Sequence, residues 1–112
     1  MLPMEERNRI LTSVQANNGF MKEFIEEFLH DVPKDIQAIE DAIVCHDARK
    51  LERAAHGLKS VVGLFQAMIP YEIARAMEEL GKKGDFVAAT EKLKELRSAL
   101  DELNKLLVST LN

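Results

Sequence analysis

In the stretch Arg53-Ala-Ala-His-Gly-Leu-Lys-Ser-Val-Val-Gly63, one side chain suits chemistry: His56. Leu51, Ala55, Leu58, Val62 and Phe65 recur at steps of four and three, so about 100° per residue stacks them along one side of a helix. Relative to that stripe His56 points roughly 140° away, Ser60 roughly 180°, Gly63 roughly 120° and Lys59 roughly 80°. The imidazole therefore faces outward. Its neutral form is a competent nucleophile toward phosphorus, and a reference pKa of about 6.5 keeps a useful neutral fraction at cellular pH. The ring nitrogen farther from the helix is the expected acceptor. Lys59, three residues on, is placed to offset an anion carried on the ring. Gly57 and Gly63 each cost a helix about 1 kcal/mol relative to alanine. Together with small Ser60 they leave space for an approaching partner; alternatively, Gly63 lets another helix of the same fold pack closely.

The elements that must position these residues read as helices joined by short turns, without repeats or low-complexity tracts. The spacing predicts helices over about 4–16, 20–31, 34–46 and 48–66, then one opening near Pro70 and stopping at Gly81-Lys-Lys-Gly84, and a last one from Phe86. Asn17-Asn18-Gly19 should break the first and Asp31-Val32-Pro33 the second, with Asp47 and Asp85 as N-caps. Phe86, Ala89, Leu93, Leu96, Leu100, Leu103 and Leu107 form the strongest periodic signal. Such a stripe fits a dimeric coiled coil or an internal core, and the amphipathic helices before it favour the core. The expected class is all-α: an up-down antiparallel four-helix bundle over about 34–108, with two N-terminal helices packed against it, in one domain spanning 1–112.

Net charge is −4, which argues against a nucleic-acid partner, since a phosphate backbone demands a basic footprint. Residues 49–59 nonetheless balance to +3 through Arg49, Lys50, Arg53 and Lys59 against Glu52. This local patch surrounds the histidine and suits a partner with an acidic site. No apolar run approaches the roughly 20 residues that span a bilayer, and with the lone Cys45 and no leader-like start the expected setting is cytoplasmic. Cys45, His46 and His30 lack metal-ligand spacing, so no metal site is expected; His30 and His46 are placed near helix C-termini. There is no Walker-type loop or glycine-rich nucleotide fingerprint, so phosphate must come from another protein.

The run Ala55-His56-Gly57-Leu58-Lys59-Ser60 resembles the hallmark of histidine-containing phosphotransfer (HPt) domains of multistep phosphorelays. The likeness extends to Phe24-Ile-Glu-Glu-Phe-Leu-His-Asp-Val-Pro33 and to Ile36, Ile39 and Ile43. Downstream, Met77-Glu78 and Gly84-Asp85 are similar to the family's Leu-Glu and Gly-Asp signals. It departs at Ser60, where glycine usually follows the lysine, and at Gln66, where the family often has a second glycine. The resemblance implies a monomeric relay protein, not an enzyme, which takes a phosphoryl group on His56 from a receiver's phospho-aspartate and passes it to another receiver. Lys59 would steady the phosphate, and Arg49, Glu52, Arg53, Gly57, Ser60 and Gly63 would form the docking face. Receiver domains, and a hybrid histidine kinase, are the implied partners; no cofactor is held stably, and Mg²⁺ arrives with the receiver. Two other functions fit the same residues: a substrate domain phosphorylated directly by a histidine kinase, and a helical adaptor without phosphate chemistry.

Overall fold

The computed structural model describes residues 2–16 and 18–111, which form five helices: α1 (Met4–Ala16), α2 (Asn18–Val44), α3 (Ala48–Leu64), α4 (Met68–Lys83) and α5 (Phe86–Thr110). The described residues contain no strand. Asn17, at the expected break between the first two helices, lies outside the described residues.

Five helices replace the six expected because α2 runs straight through Pro33. Met21, Ile25, Phe28, Val32, Ile36, Ile39 and Ile43 continue one apolar stripe at steps of three and four across the proline, and all but Ile36 are buried. Pro33 itself is exposed, so the hydrogen bond it denies the Leu29 carbonyl is lost on the solvent side. Burial of the continuous stripe outweighs that local loss, and the region read as two helices is a single rod. At 1.5 Å per residue its 27 residues span about 40 Å, which matches the 40 Å long axis of the molecule.

Helices α2, α3, α4 and α5 close a ring of contacts, each against the next and α5 back against α2, while α1 touches α2 and α5. The bundle thus begins at Asn18, and only α1 is additional. Leu51, Ala55, Leu58 and Val62 of α3 share one core with Leu93, Leu96, Leu100, Leu103 and Leu107 of α5 and with the α2 stripe. Phe65 plugs one end, stacked on Phe24 at 5.0 Å and edge-on to Phe28 at 5.1 Å.

The three turns within the bundle share one geometry. His46, Gln66 and Gly84 each take a left-handed conformation, with φ of 53°, 60° and 68°. The next residue in each case donates its N–H back five residues, from Asp47 to Ala42, Ala67 to Val62 and Asp85 to Leu80, the helix-ending pattern that left-handed residues permit. Gln66 therefore lies past the end of α3, and not on the flank of a helix reaching residue 66. His30, expected near a helix end, is exposed in the middle of α2. Asp47 and Asp85 cap α3 and α5 as expected, accepting from the backbone N–H groups of Lys50 at 3.1 Å and Ala88 at 3.0 Å.

Helix α4 has no side-chain cap of its own, because Ala67 stands at that position. Glu6, buried on α1, supplies one across the fold. Its two carboxylate oxygens accept from the N–H groups of Met68 at 2.9 Å and Ile69 at 2.5 Å, and Arg9 holds one of them at 3.1 Å. A negative group at a helix N-terminus satisfies orphan donors and complements the helix dipole. In this way α1 anchors the start of the helix that completes the site.

Candidate functional site

Three contacts set the register of α3 against α4. A side-chain carbon built on Gly81 would stand 2.7 Å from the Glu52 backbone nitrogen, so the two backbones nearly touch there. Farther along, a side-chain carbon built on Gly63 would stand 3.4 Å from the Tyr71 ring. Between these points Glu78 reaches across to α3. The pairs 52 with 81, 59 with 78 and 63 with 71 run in opposite directions, as antiparallel helices require. Gly81 is the reason a carboxylate on α4 can meet side chains on α3 at hydrogen-bond distance.

Glu78 bridges His56 and Lys59. Its Oε2 lies 2.7 Å from His56 Nδ1, and Lys59 Nζ donates to Oε1 at 2.7 Å. Residues three apart are neighbours on a helix surface, so one carboxylate spans both. Glu78 is 7% exposed, whereas the His56 side chain is 59% exposed. Hydrogen bonding from Lys59 chiefly, and from His56, holds the Glu78 carboxyl below its usual range, against the opposing effect of burial. Glu78 is therefore a carboxylate at neutral pH and can only accept. In the neutral ring the proton of this contact belongs to Nδ1, so Nε2 keeps its lone pair. The geometry presents a nucleophilic nitrogen whose partner across the ring is fixed and negative.

The other residues singled out by sequence fall into two groups. Arg49, Arg53, Gly57 and Ser60 are exposed on the His56 side of α3. No atom approaches within 4 Å of where a Gly57 side chain would begin, and the Ser60 hydroxyl is turned back to donate to the His56 carbonyl at 3.1 Å. Ser60 thus adds little bulk beside the ring. Glu52 and Gly63 instead lie along α4 and are partly covered by it, Gly63 in the close-packing arrangement raised as its alternative role. Lys59, about 80° from the apolar stripe, is mostly covered, with its side chain 18% exposed and ion-paired to Glu78. Arg49, Lys50 and Arg53, with Asp47 and Ala54, line an open basic depression at the start of α3.

The sequence marks Glu78 only through its Met-Glu signal, and the fold brings it beside His56. Elsewhere, Cys45 is exposed and His46 stacks on Phe86 at 4.7 Å. Among the described residues no three His, Cys, Asp or Glu side chains gather to hold a metal ion. At the site itself, each oxygen of Glu78 accepts a hydrogen bond, one from Lys59 and one from His56, and the Lys59 ammonium beside the carboxylate opposes a second cation such as Mg²⁺. No helix among the described residues is long and apolar enough to cross a membrane.

A family model described as Hpt domain matches residues 23–106, three quarters of the chain. No curated protein matches, nor does any solved structure. The matched region takes in α3, α4 and the whole His56–Glu78–Lys59 constellation, and leaves out α1 with its Glu6 cap.

Proposed function

The chain belongs to the Hpt domain family, whose role is histidine-containing phosphotransfer in phosphorelays, and from that premise we propose that His56 is the phosphoacceptor. Nε2 attacks the phosphorus of a receiver's aspartyl phosphate. The P–N bond forms as the P–O bond to the aspartate breaks, and the aspartate departs as a carboxylate; the reverse displacement hands the group to a second receiver. The observation that carries this reading is the Glu78 bridge. As the P–N bond forms the ring becomes positive, and the carboxylate on Nδ1–H stabilises that charge without moving, the kind of preorganised electrostatics that phosphoryl transfer relies on. Lys59, held on the same side by Glu78, offsets the charge of the phosphate.

The docking face in this reading is built around Arg49, Arg53, Gly57 and Ser60, with Glu52 and Gly63 setting the approach of α4 behind it. The chain acts as one domain and a monomer in the cytoplasm, draws phosphate from receivers or from a hybrid histidine kinase, and has no ATP site of its own. Because its own residues do not suit Mg²⁺, the ion comes with the receiver.

Incubation of the chain with a panel of phosphorylated receivers tests this. An acid-labile label on His56, absent in His56→Gln, is the expected result. A His56→Gln variant that accepts phosphate from a receiver at the normal rate would show the assignment wrong. Label obtained only from a kinase with ATP points to the substrate-domain role, and no label from either source to the adaptor.

A further inference from the structure

Resting on His56 as phosphoacceptor, we propose that the outward face of α3 is a polarised docking strip that dictates which way round the receiver sits, with arginines at one end and Leu64 as an apolar anchor at the other. Arg49, Arg53, His56, Ser60 and Leu64 follow one another at steps of four, three, four and four, and at 100° per residue they fall within about 80° of each other. Glu52, Lys59 and Gly63 lie on the opposite flank, toward α4. The strip is therefore the part of α3 left to solvent beside the histidine.

Both ends are open to solvent. Arg75 and Arg97 are each paired with a carboxylate, Glu72 and Glu40 respectively, whereas among the described residues neither Arg49 nor Arg53 forms an ion pair. Leu64 is 58% exposed, although Val62 and Phe65 beside it are fully buried.

Distance makes these ends part of any productive encounter. At 1.5 Å per residue Arg49 lies about 10 Å along the axis from His56 and Leu64 about 12 Å the other way. A standard protein interface covers roughly 800 Å² per partner, a disc of about 16 Å radius. A macromolecule that delivers a phosphoryl group to Nε2 must cover both ends, with the small Gly57 and Ser60 between them. The fitting occupant is a receiver whose rim is acidic on one side of its phospho-aspartate and apolar on the other. Docked the wrong way round, it would press carboxylates on Leu64 and leave the arginines facing apolar surface, which disfavours that orientation at both ends.

The test uses the full chain, a receiver that transfers to it, and phosphoramidate as a small donor that needs no docking. Leu64→Ala should raise the half-saturating receiver concentration about tenfold with an unchanged salt slope. Arg49→Gln combined with Arg53→Gln should lower the second-order rate constant about tenfold at low salt and flatten its salt dependence. Phosphoramidate labelling should be unaltered in Leu64→Ala. A Leu64→Ala variant with wild-type half-saturation overturns the strip, as does one that also loses phosphoramidate labelling, since it then acts on the site and not on docking. A wild-type chain labelled by phosphoramidate but by no receiver removes the underlying relay reading instead.

Discussion

His56 Nδ1 and Glu78 Oε2 are 2.7 Å apart although 22 residues separate them in the chain. The contact joins an exposed nucleophile to a buried anion, and it fixes the tautomer that leaves Nε2 unprotonated. Removing the charge should slow transfer more than it unsettles the fold. Glu78→Gln is expected to reduce the transfer rate about 10- to 100-fold, the equivalent of a hydrogen bond to a charged group of roughly 1.5–3 kcal/mol. Nitrogen chemical shifts of the His56 ring should show the proton no longer confined to Nδ1. A variant with wild-type ring shifts and a wild-type rate would separate Glu78 from the chemistry.

The same carboxylate makes part of the stability depend on pH. Lys59 foremost, then His56, holds Glu78 below its ordinary value of 4.5, with burial working the other way. A carboxyl group lowered in the folded state stabilises the fold above its unfolded value and loses that contribution as pH falls through the folded one. Wild type should therefore exceed Glu78→Gln in stability at neutral pH, with the gap shrinking as pH falls below 4.5. Urea unfolding of both proteins across the acid range measures it. A gap that widens on acidification contradicts the direction.

The fold and half of the site were readable from spacing because repetition announces itself. The α3 stripe gave the outward direction of His56, and Asp47 and Asp85 marked helix starts through their side-chain chemistry. Where the structure departs from the local spacing, the physical cause is long-range compensation. Pro33 is a local stop signal, yet it sits on the solvent side of a stripe whose burial carries the helix past it. Glu6 and Glu78 are the buried charges of the protein's described residues, and each interrupts a stripe: Glu6 stands one turn before Ile10 and Val14, Glu78 between Ala74 and Gly81. A carboxylate in such a position announces that it needs a partner. Spacing within its own helix does not say which one, because the backbone N–H groups that Glu6 caps lie more than 60 residues away and the partners of Glu78 about 20.

Glu6→Ala should cost about 1–2 kcal/mol, the usual range for losing a helix N-cap, and the loss should be felt at α4 although the substitution is in α1. Amide hydrogen exchange at Met68 and Ile69 reports it directly, since both N–H groups lose their acceptor. Unchanged protection there would mean that the cap is dispensable.

Two glycines should respond in opposite directions to alanine. Gly57 has open space around it, so Gly57→Ala should raise stability by about 1 kcal/mol through helix propensity alone. Gly81→Ala brings a carbon to 2.7 Å from the Glu52 backbone nitrogen, and backbone cannot give way as a side-chain tip can. It should cost on the order of 1–3 kcal/mol through overpacking and, by moving α4 off α3, lengthen the His56–Glu78 contact and slow transfer. Thermal unfolding with parallel transfer assays resolves the pair. Equal shifts in melting temperature would deny the close approach at Gly81.

Gln66 stands where the family often carries glycine, and the backbone explains that preference independently of any partner. Its φ of 60° lies in the left-handed region, and Ala67 N–H closes the end of α3 by donating to the Val62 carbonyl at 3.3 Å. A side chain is strained in that conformation whereas glycine is not. The unfolded chain gains freedom from glycine, which offsets part of the relief. Gln66→Gly should still stabilise by roughly 0.5–1 kcal/mol, and because Gln66 lies beyond α3 and away from the Glu78 bridge, phosphoramidate labelling of His56 should keep its wild-type rate. Chemical denaturation decides the first part. A destabilised Gln66→Gly would mean that the glutamine side chain makes up for its backbone strain.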